Sequence, residues 1–525
     1  MPPTPSHPDR GLPVRSGGAL PSAALQTVPL GHWLDPADAF DRLHAEAPFA
    51  VWLDAGAGAS TGMSYLAAAH HGSRFVTAVA RAGTVTSSRP MDPGTAPVTS
   101  VGTIFDFLRS EQGSTGAAGS AADARDDVGF RLGWVGWFGY GLARSGEAES
   151  HQDGRAATAA SEAAADAAPD AALLYVDRAI AFDHAARTVT LLAGSAAGES
   201  GKDVEDWLVD TARRLDVRPR GQTAPARPAR PQTSAEPLEV RWRHDSAQYA
   251  RLINACQDRI AAGDAYQLCL TNEVTVPGSF DPVTVYRQLR AGSPSHHGGL
   301  LRFGAHALLS ASPEEFLSVT GRGRLRTRPI KGTRPRSADP ATDRMLAEEL
   351  LASDKERAEN LMIVDLMRND LGRVAALGSV AVTSLLQVES YPHVHQLVST
   401  VEARLAPGLT SVDAIEAAFP AGSMTGAPKA SAMAILAALE GGDRGIYAGA
   451  FGYLGRDGTV DLAMVIRSIV LGPAGASIGT GGGITALSVP AEEIEETRIK
   501  ARALISAILA STGVPAPAGG RGLVT

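Results

Sequence analysis

Two cysteines in 525 residues, Cys256 and Cys269, are too few for a disulfide framework, and they lack the CxxC spacing of a thiolate metal site. Such scarcity fits a reducing compartment, so a cytoplasmic location is expected. No stretch approaches 18 uninterrupted apolar residues, and hence no transmembrane helix or membrane partner is expected. Excess basic charge is missing as well. The formal net charge of −8 argues against nucleic acid as a partner. Residues 1–19 contain no apolar signal-peptide core and read as a proline-rich disordered tail.

What is present divides by composition. A chain of this length exceeds one typical core, which predicts two domains or one large two-lobed unit. Residues 20–217 form a first region, with strands predicted at Ala50-Val51-Trp52-Leu53 and Leu173-Leu174-Tyr175-Val176 and a glycine- and aromatic-rich run from Gly133 to Tyr140. Two alanine-rich stretches near 112–126 and 145–170 read as surface loops. Residues 218–238 read as a proline-rich linker, and 512–525 as a flexible tail. Between them, 239–511 carries helix and strand patterns in alternation.

The spacing of Tyr249, Leu252, Ile253, Cys256 and Ile260 predicts a helix over 247–262, followed by a strand over 267–276. Ser353-Asp354-Lys355-Glu356 is a capping-box signature for a helix through Met367, on which Glu356 and Glu359 share a face. A last helix is predicted from Pro490 to Ala510, with Ile494, Ala501, Leu504, Ile505 and Ile508 as its apolar stripe. Glu493, Glu496 and Lys500 make a second stripe. Taken alone, that stripe better suits a solvated face whose early acids favour the helix dipole.

The densest chemical signal is Arg328-Pro329-Ile330-Lys331-Gly332-Thr333, which puts a lysine on a Pro/Gly-framed turn. A lysine is nucleophilic only when neutral, and at its ordinary pKa of about 10.4 very little is neutral at pH 7. Arg326, Arg328, Arg334 and Arg336 flank Lys331 and supply positive charge that could lower that pKa.

This motif resembles the lysine-bearing signature of the aminodeoxychorismate synthase component I branch of the chorismate-utilising enzyme family. Further blocks match in order: Ala262 to Gln267, Ala311 to Glu314, Glu359 to Leu366, Arg368-Asn369-Asp370, Phe419 to Lys429, and Glu496 to Lys500. The resemblance implies an α+β fold, a large two-lobed sandwich of two mainly antiparallel sheets flanked by helices. It implies amination of chorismate at C4 through a covalent adduct on Lys331, with Glu314 as acid/base. Mg²⁺ is the implied cofactor, on Glu359 and Glu496 directly and on Glu356 and Glu493 through water, as a hard cation prefers. Substrate-binding positions implied are Gln267, Thr333, His395, Thr425, Tyr453, Arg467 and Lys500.

Gly481, Gly482 and Gly483 offer backbone N–H donors for an anion. In the family, water-adding relatives carry lysine at the position of Gln267, so the neutral amide implies ammonia as nucleophile; the lesser alternative is a polar strand residue that satisfies a neighbour. His395 is likewise open between an active-site role and a satisfied core imidazole. Leu487 stands where the family usually has Asp, which puts the support of the glycine run in doubt. No tryptophan-inhibition motif is evident, and feedback by tryptophan is not predicted. Neither cysteine sits on a glutaminase-type elbow, so ammonia is expected from a separate glutamine amidotransferase subunit. The alternatives are an anthranilate synthase component I-like enzyme and a non-catalytic chorismate-binding regulatory subunit.

Overall fold

Strands that are apolar on both faces decide the architecture. In Phe49–Asp54, Ala50 and Trp52 pack to one side and Val51 to the other. In Gly133–Phe138, Trp134 and Phe138 face one core while Val135 and Trp137 face another. Such strands need a covering layer on each face. The computed structural model, which describes residues 25–114, 127–144, 167–194, 201–216, 238–391 and 393–512, supplies it with two stacked 12-stranded sheets and helices outside them.

Every strand pairing among the described residues is antiparallel. The two sheets enclose an inner core that includes Val51, Trp137, Leu301, Phe303, Phe451 and Tyr453. The α+β sandwich implied by the resemblance is therefore the fold. Both sheets take strands from either side of the proline-rich stretch: Phe49–Asp54 pairs with His297–Phe303, and Gly133–Phe138 pairs with Ala450–Gly455. The tail 1–19 lies outside the described residues, as do 218–237, 513–525 and most of the two alanine-rich stretches. No helix among the described residues is long and apolar enough to cross a membrane.

Two helices from opposite outer layers frame the site. Helix Pro490–Ser511 buries Ala501, Leu504, Ile505 and Ile508 against the first sheet, while Ile494 packs on a cluster around Tyr249, Ile253 and Cys256 of helix Ser246–Ala261. Helix Asp354–Gly372 buries Ile363, Val364, Met367 and Leu371 against the second sheet. Its N-cap is Ser353, whose hydroxyl accepts from the Glu356 N–H. In the first sheet, strands Ser468–Gly472 and Gly475–Ile484 pair only from Val470 and Ser477 to the turn. Beyond that they part, leaving one edge of the glycine strand open beside Arg467.

Candidate active site

A cavity of about 490 Å³ lies between strands Ile330–Pro335 and Gly475–Ile484 and helices Asp354–Gly372 and Pro490–Ser511. Lys331, Glu314, Thr333, Arg467, Lys500, Gly481, Gly482 and Gly483 line it, together with Glu356, Glu359, Glu493 and Glu496. Residues more than 180 positions apart in the chain thus share one wall.

Lys331 sits on a strand, not on the turn its proline and glycine neighbours suggest. A bulge after it shifts the register against strand Val394–Arg404. Gly332 carries this bulge with φ +77°, and a Cβ there would fall 2.7 Å from Leu350 and 2.9 Å from the Glu356 carboxylate. The flanking arginines do not press on the lysine. Arg326 pairs with Glu315 at 2.8 Å, Arg334 with Glu349 at 2.8 Å, Arg336 with Asp343 at 2.9 Å, and Arg328 with Glu389. Lys331 Nζ instead lies 3.6 Å from Glu359. Burial alone would lower its pKa, but the carboxylates of Glu359, Glu314 and Glu496 outweigh that and raise it. Lys331 is therefore protonated in the resting chain, the reverse of what the arginine-rich sequence suggests.

Glu314 is a carboxyl kept near neutrality. Burial pushes its pKa to about 7, against opposing effects of Lys331 and of the Ser423 hydroxyl, which donates to Oε1 at 3.1 Å. It can give or take a proton at physiological pH.

The four acids proposed from sequence as metal ligands each face a cation. Glu359 faces Lys331 (3.6 Å), Glu496 faces Lys500 (2.6 Å), Glu493 faces Lys355 (3.4 Å), and Glu356 faces Arg334 (3.7 Å). Among the described residues, no three His, Cys, Asp or Glu side chains converge enough to hold a metal by themselves. Magnesium does not need three, since it takes one or two carboxylates and completes its shell with water and substrate oxygens. Two acids on two helices at one cavity fit that demand.

The glycine run is a strand, not a turn-like nest. Gly481, Gly482 and Gly483 pair with Thr271, Leu270 and Cys269. Lys500 donates to the Gly481 carbonyl at 2.8 Å, so Gly481 directs its carbonyl, and with it its N–H, to the open edge. Gln267 packs beside it: a Cβ on Gly483 would lie 2.1 Å from the Gln267 amide nitrogen and 3.5 Å from Lys331 Nζ. Its buried Oε1 has no hydrogen-bond partner. Arg467 is an exposed residue that lines the cavity, and crowding by neighbouring protein atoms lowers its pKa. Its backbone, at φ +51°, is strained for a non-glycine residue, as functional positions often are. Leu487 is 83% exposed and leaves the glycine strand alone, while Ser488 donates to Glu493 at 2.8 Å.

Four residues named from sequence are not among those lining the cavity: Gln267, which packs against Gly483, and three whose side chains are engaged elsewhere. Val394 and Gln396 line it, so strand alternation turns His395 away, where Ser390 (2.8 Å) and Asp343 (3.0 Å) satisfy its ring. The Thr425 hydroxyl donates to backbone carbonyls of Ala421 and Gly422, and Ser423 and Met424 line the wall instead. Tyr453 belongs to the inner core against Tyr65 and Phe130; the cavity tyrosine is Tyr447. Gln396 and Ser423 lie within two residues of sequence-named positions, whereas nothing local marks Tyr447. Lys429 serves structure, pairing with buried Asp370 at 2.9 Å and so joining two of the matched blocks.

A family model described as chorismate binding enzyme matches residues 51–506. The chain is 46% identical over 376 residues to an aminodeoxychorismate synthase of Streptomyces griseus, covering 72% of this chain and 50% of that protein. It is 39% identical over 485 residues to that of Streptomyces pristinaespiralis, covering 90% and 63%. The chain thus spans one half to under two thirds of those two proteins. Anthranilate synthase component 1 of Streptomyces coelicolor is 40% identical over 383 residues, covering 72% and 73%. Among solved structures, anthranilate synthase component I from Streptococcus pneumoniae TIGR4 superposes with a TM-score of 0.69 at 27% identity, covering 91% of this chain and 98% of that one.

Proposed function

Because the chain belongs to the chorismate-binding enzyme family, we propose that it aminates chorismate at C4, with ammonia, to 4-amino-4-deoxychorismate. The observation that carries this reading is the shared cavity, where a lysine amine, a near-neutral carboxyl and two further cations face one another. Arg467 and Lys500 suit the two carboxylates of such a substrate, the guanidinium by a bidentate grip. Mg²⁺ held by Glu359 and Glu496, with Glu356 and Glu493 behind them, would bind a substrate carboxylate and offset the negative charge that keeps Lys331 protonated.

In the proposed reaction neutral Lys331 attacks C2 of the ring. As the N–C2 bond forms, both ring double bonds move one position and the C4–O bond breaks. Glu314 gives its proton to the departing hydroxyl, which leaves as water. Ammonia then bonds to C4, the double bonds return, and the C2–N bond breaks to free the lysine, with one proton lost from the entering nitrogen. Two easier displacements replace one hard one. Thr333 and the open-edge N–H groups of the glycine strand position the ring, with Gln267 packed against Gly483. Ammonia would come from a separate glutamine amidotransferase, since both cysteines are buried, one on a helix and one on a strand.

A second reading, conversion of chorismate to anthranilate, draws on the 40% identity to the Streptomyces coelicolor protein. Incubation with chorismate, Mg²⁺ and ammonium, followed by mass spectrometry of products, decides between them. A product that keeps its enolpyruvyl group supports the first reading; anthranilate with free pyruvate supports the second. Chorismate binding without turnover would mark a regulatory subunit.

A further inference from the structure

The glycine strand continues beyond the site just described. Ala476 and Ile478 face the outer core, and Thr480 Oγ1 donates to the Thr497 carbonyl at 2.9 Å on the same outer side. Alternation therefore turns Ser477, Gly479, Gly481 and Gly483 to the inner face. Three successive inward positions without side chains leave a trench along the sheet. Gly481, Gly483 and their neighbour Cys269 floor the reaction cavity at one end. At the other end Ser477 and its partner Thr275 floor a second cavity, of about 620 Å³, walled also by Ile446, Val465 and Val470.

Gly479 and Tyr447 line both cavities. The Tyr447 ring lies directly on Gly479, for a Cβ at that position would fall 2.0 Å from the ring. One aromatic ring is the partition between the two spaces.

We propose that the second cavity is the vestibule through which ammonia reaches the reaction cavity, with the Tyr447 ring as its gate. This rests on the amination reading above. Two reactants must meet in one cavity of about 490 Å³, and the larger is a cyclic dicarboxylate that must enter first to be attacked by Lys331. Its carboxylates are held by Arg467 and Lys500, which line the reaction cavity and not the second one. A nucleophile of one heavy atom can pass a displaced aromatic ring where the dicarboxylate cannot. With the ring closed, vestibule water is kept from the reactive intermediate.

The test uses the full chain with ammonium chloride as nucleophile and two separate substitutions, Thr275→Leu and Ser477→Leu, which narrow the vestibule without touching the reaction cavity. The KM for ammonium should rise at least about fivefold while kcat at saturating ammonium and the chorismate Kd by equilibrium dialysis stay unchanged. Ser477→Ala, which widens the space, should not raise that KM. Should a leucine variant fail to fold, Ser477→Val narrows the space less and is read in the same way. Unchanged ammonium KM in folded, aminating variants overturns the vestibule alone. Absence of any aminated product from the unmodified chain overturns the amination reading and the vestibule with it.

Discussion

Lys331 Nζ stands 3.6 Å from a Glu359 carboxylate oxygen, so the proposed nucleophile begins as the cation of an ion pair. Lysine chemistry must therefore follow a change in what Glu359 faces. Incubation with chorismate and Mg²⁺, followed by intact-mass and peptide mass spectrometry, should reveal an adduct of chorismate less water on Lys331. Lys331→Ala should carry none; labelling elsewhere at an unchanged level would remove the lysine from the reaction.

Glu359→Gln and Glu496→Gln should each abolish binding of Mn²⁺, used as a paramagnetic stand-in for Mg²⁺ and followed by electron paramagnetic resonance. Wild-type Mn²⁺ affinity in either variant would exclude that acid from the metal site.

Glu314 should govern the alkaline limb of the rate profile. With its pKa raised to about 7, kcat/KM should fall above that pH as the acid loses its proton. Glu314→Gln should lower kcat by about 10² to 10⁴ and abolish that limb. Ser423→Ala removes the hydrogen bond that favours the carboxylate, and the limb should move to higher pH.

The same group affects stability. Its pKa rises on folding from the ordinary 4.5 to about 7, so its contribution is complete below 4.5 and is lost as pH rises through 7. Glu314→Gln should match the wild type near pH 4 and exceed it above pH 8 by up to about 3 kcal/mol. Urea unfolding at the two pH values checks this.

Lys429→Met should cost about 3–5 kcal/mol, because it strands the buried Asp370 carboxylate. The double variant Lys429→Met with Asp370→Leu should recover much of the loss in thermal unfolding.

Much of the local structure was legible in the residues. Ser353 with Glu356 marked a helix start because a cap and its first turn are adjacent in sequence. The stripe Ala501, Leu504, Ile505 and Ile508 marked a buried helix face because its period is helical. Motif resemblance located Lys331, Glu314, Arg467 and the four acids, all of which line the cavity. Gln267, His395, Thr425 and Tyr453 do not line it; at His395 and Thr425 a strand or tight turn reverses the side chain's direction from one residue to the next, and Gln396 and Ser423 line the wall instead.

By itself, then, the order of residues determined the strand and helix periods, the glycine run and the content of the matched blocks, since these depend on neighbours a few residues apart. Only tertiary structure decided the charge on Lys331, because its arginine neighbours are each neutralised by acids 7 to 61 residues away while Glu359 is brought opposite. It also decided that Tyr447 lies on Gly479, a contact between a loop and the opposing sheet that no spacing along the chain encodes.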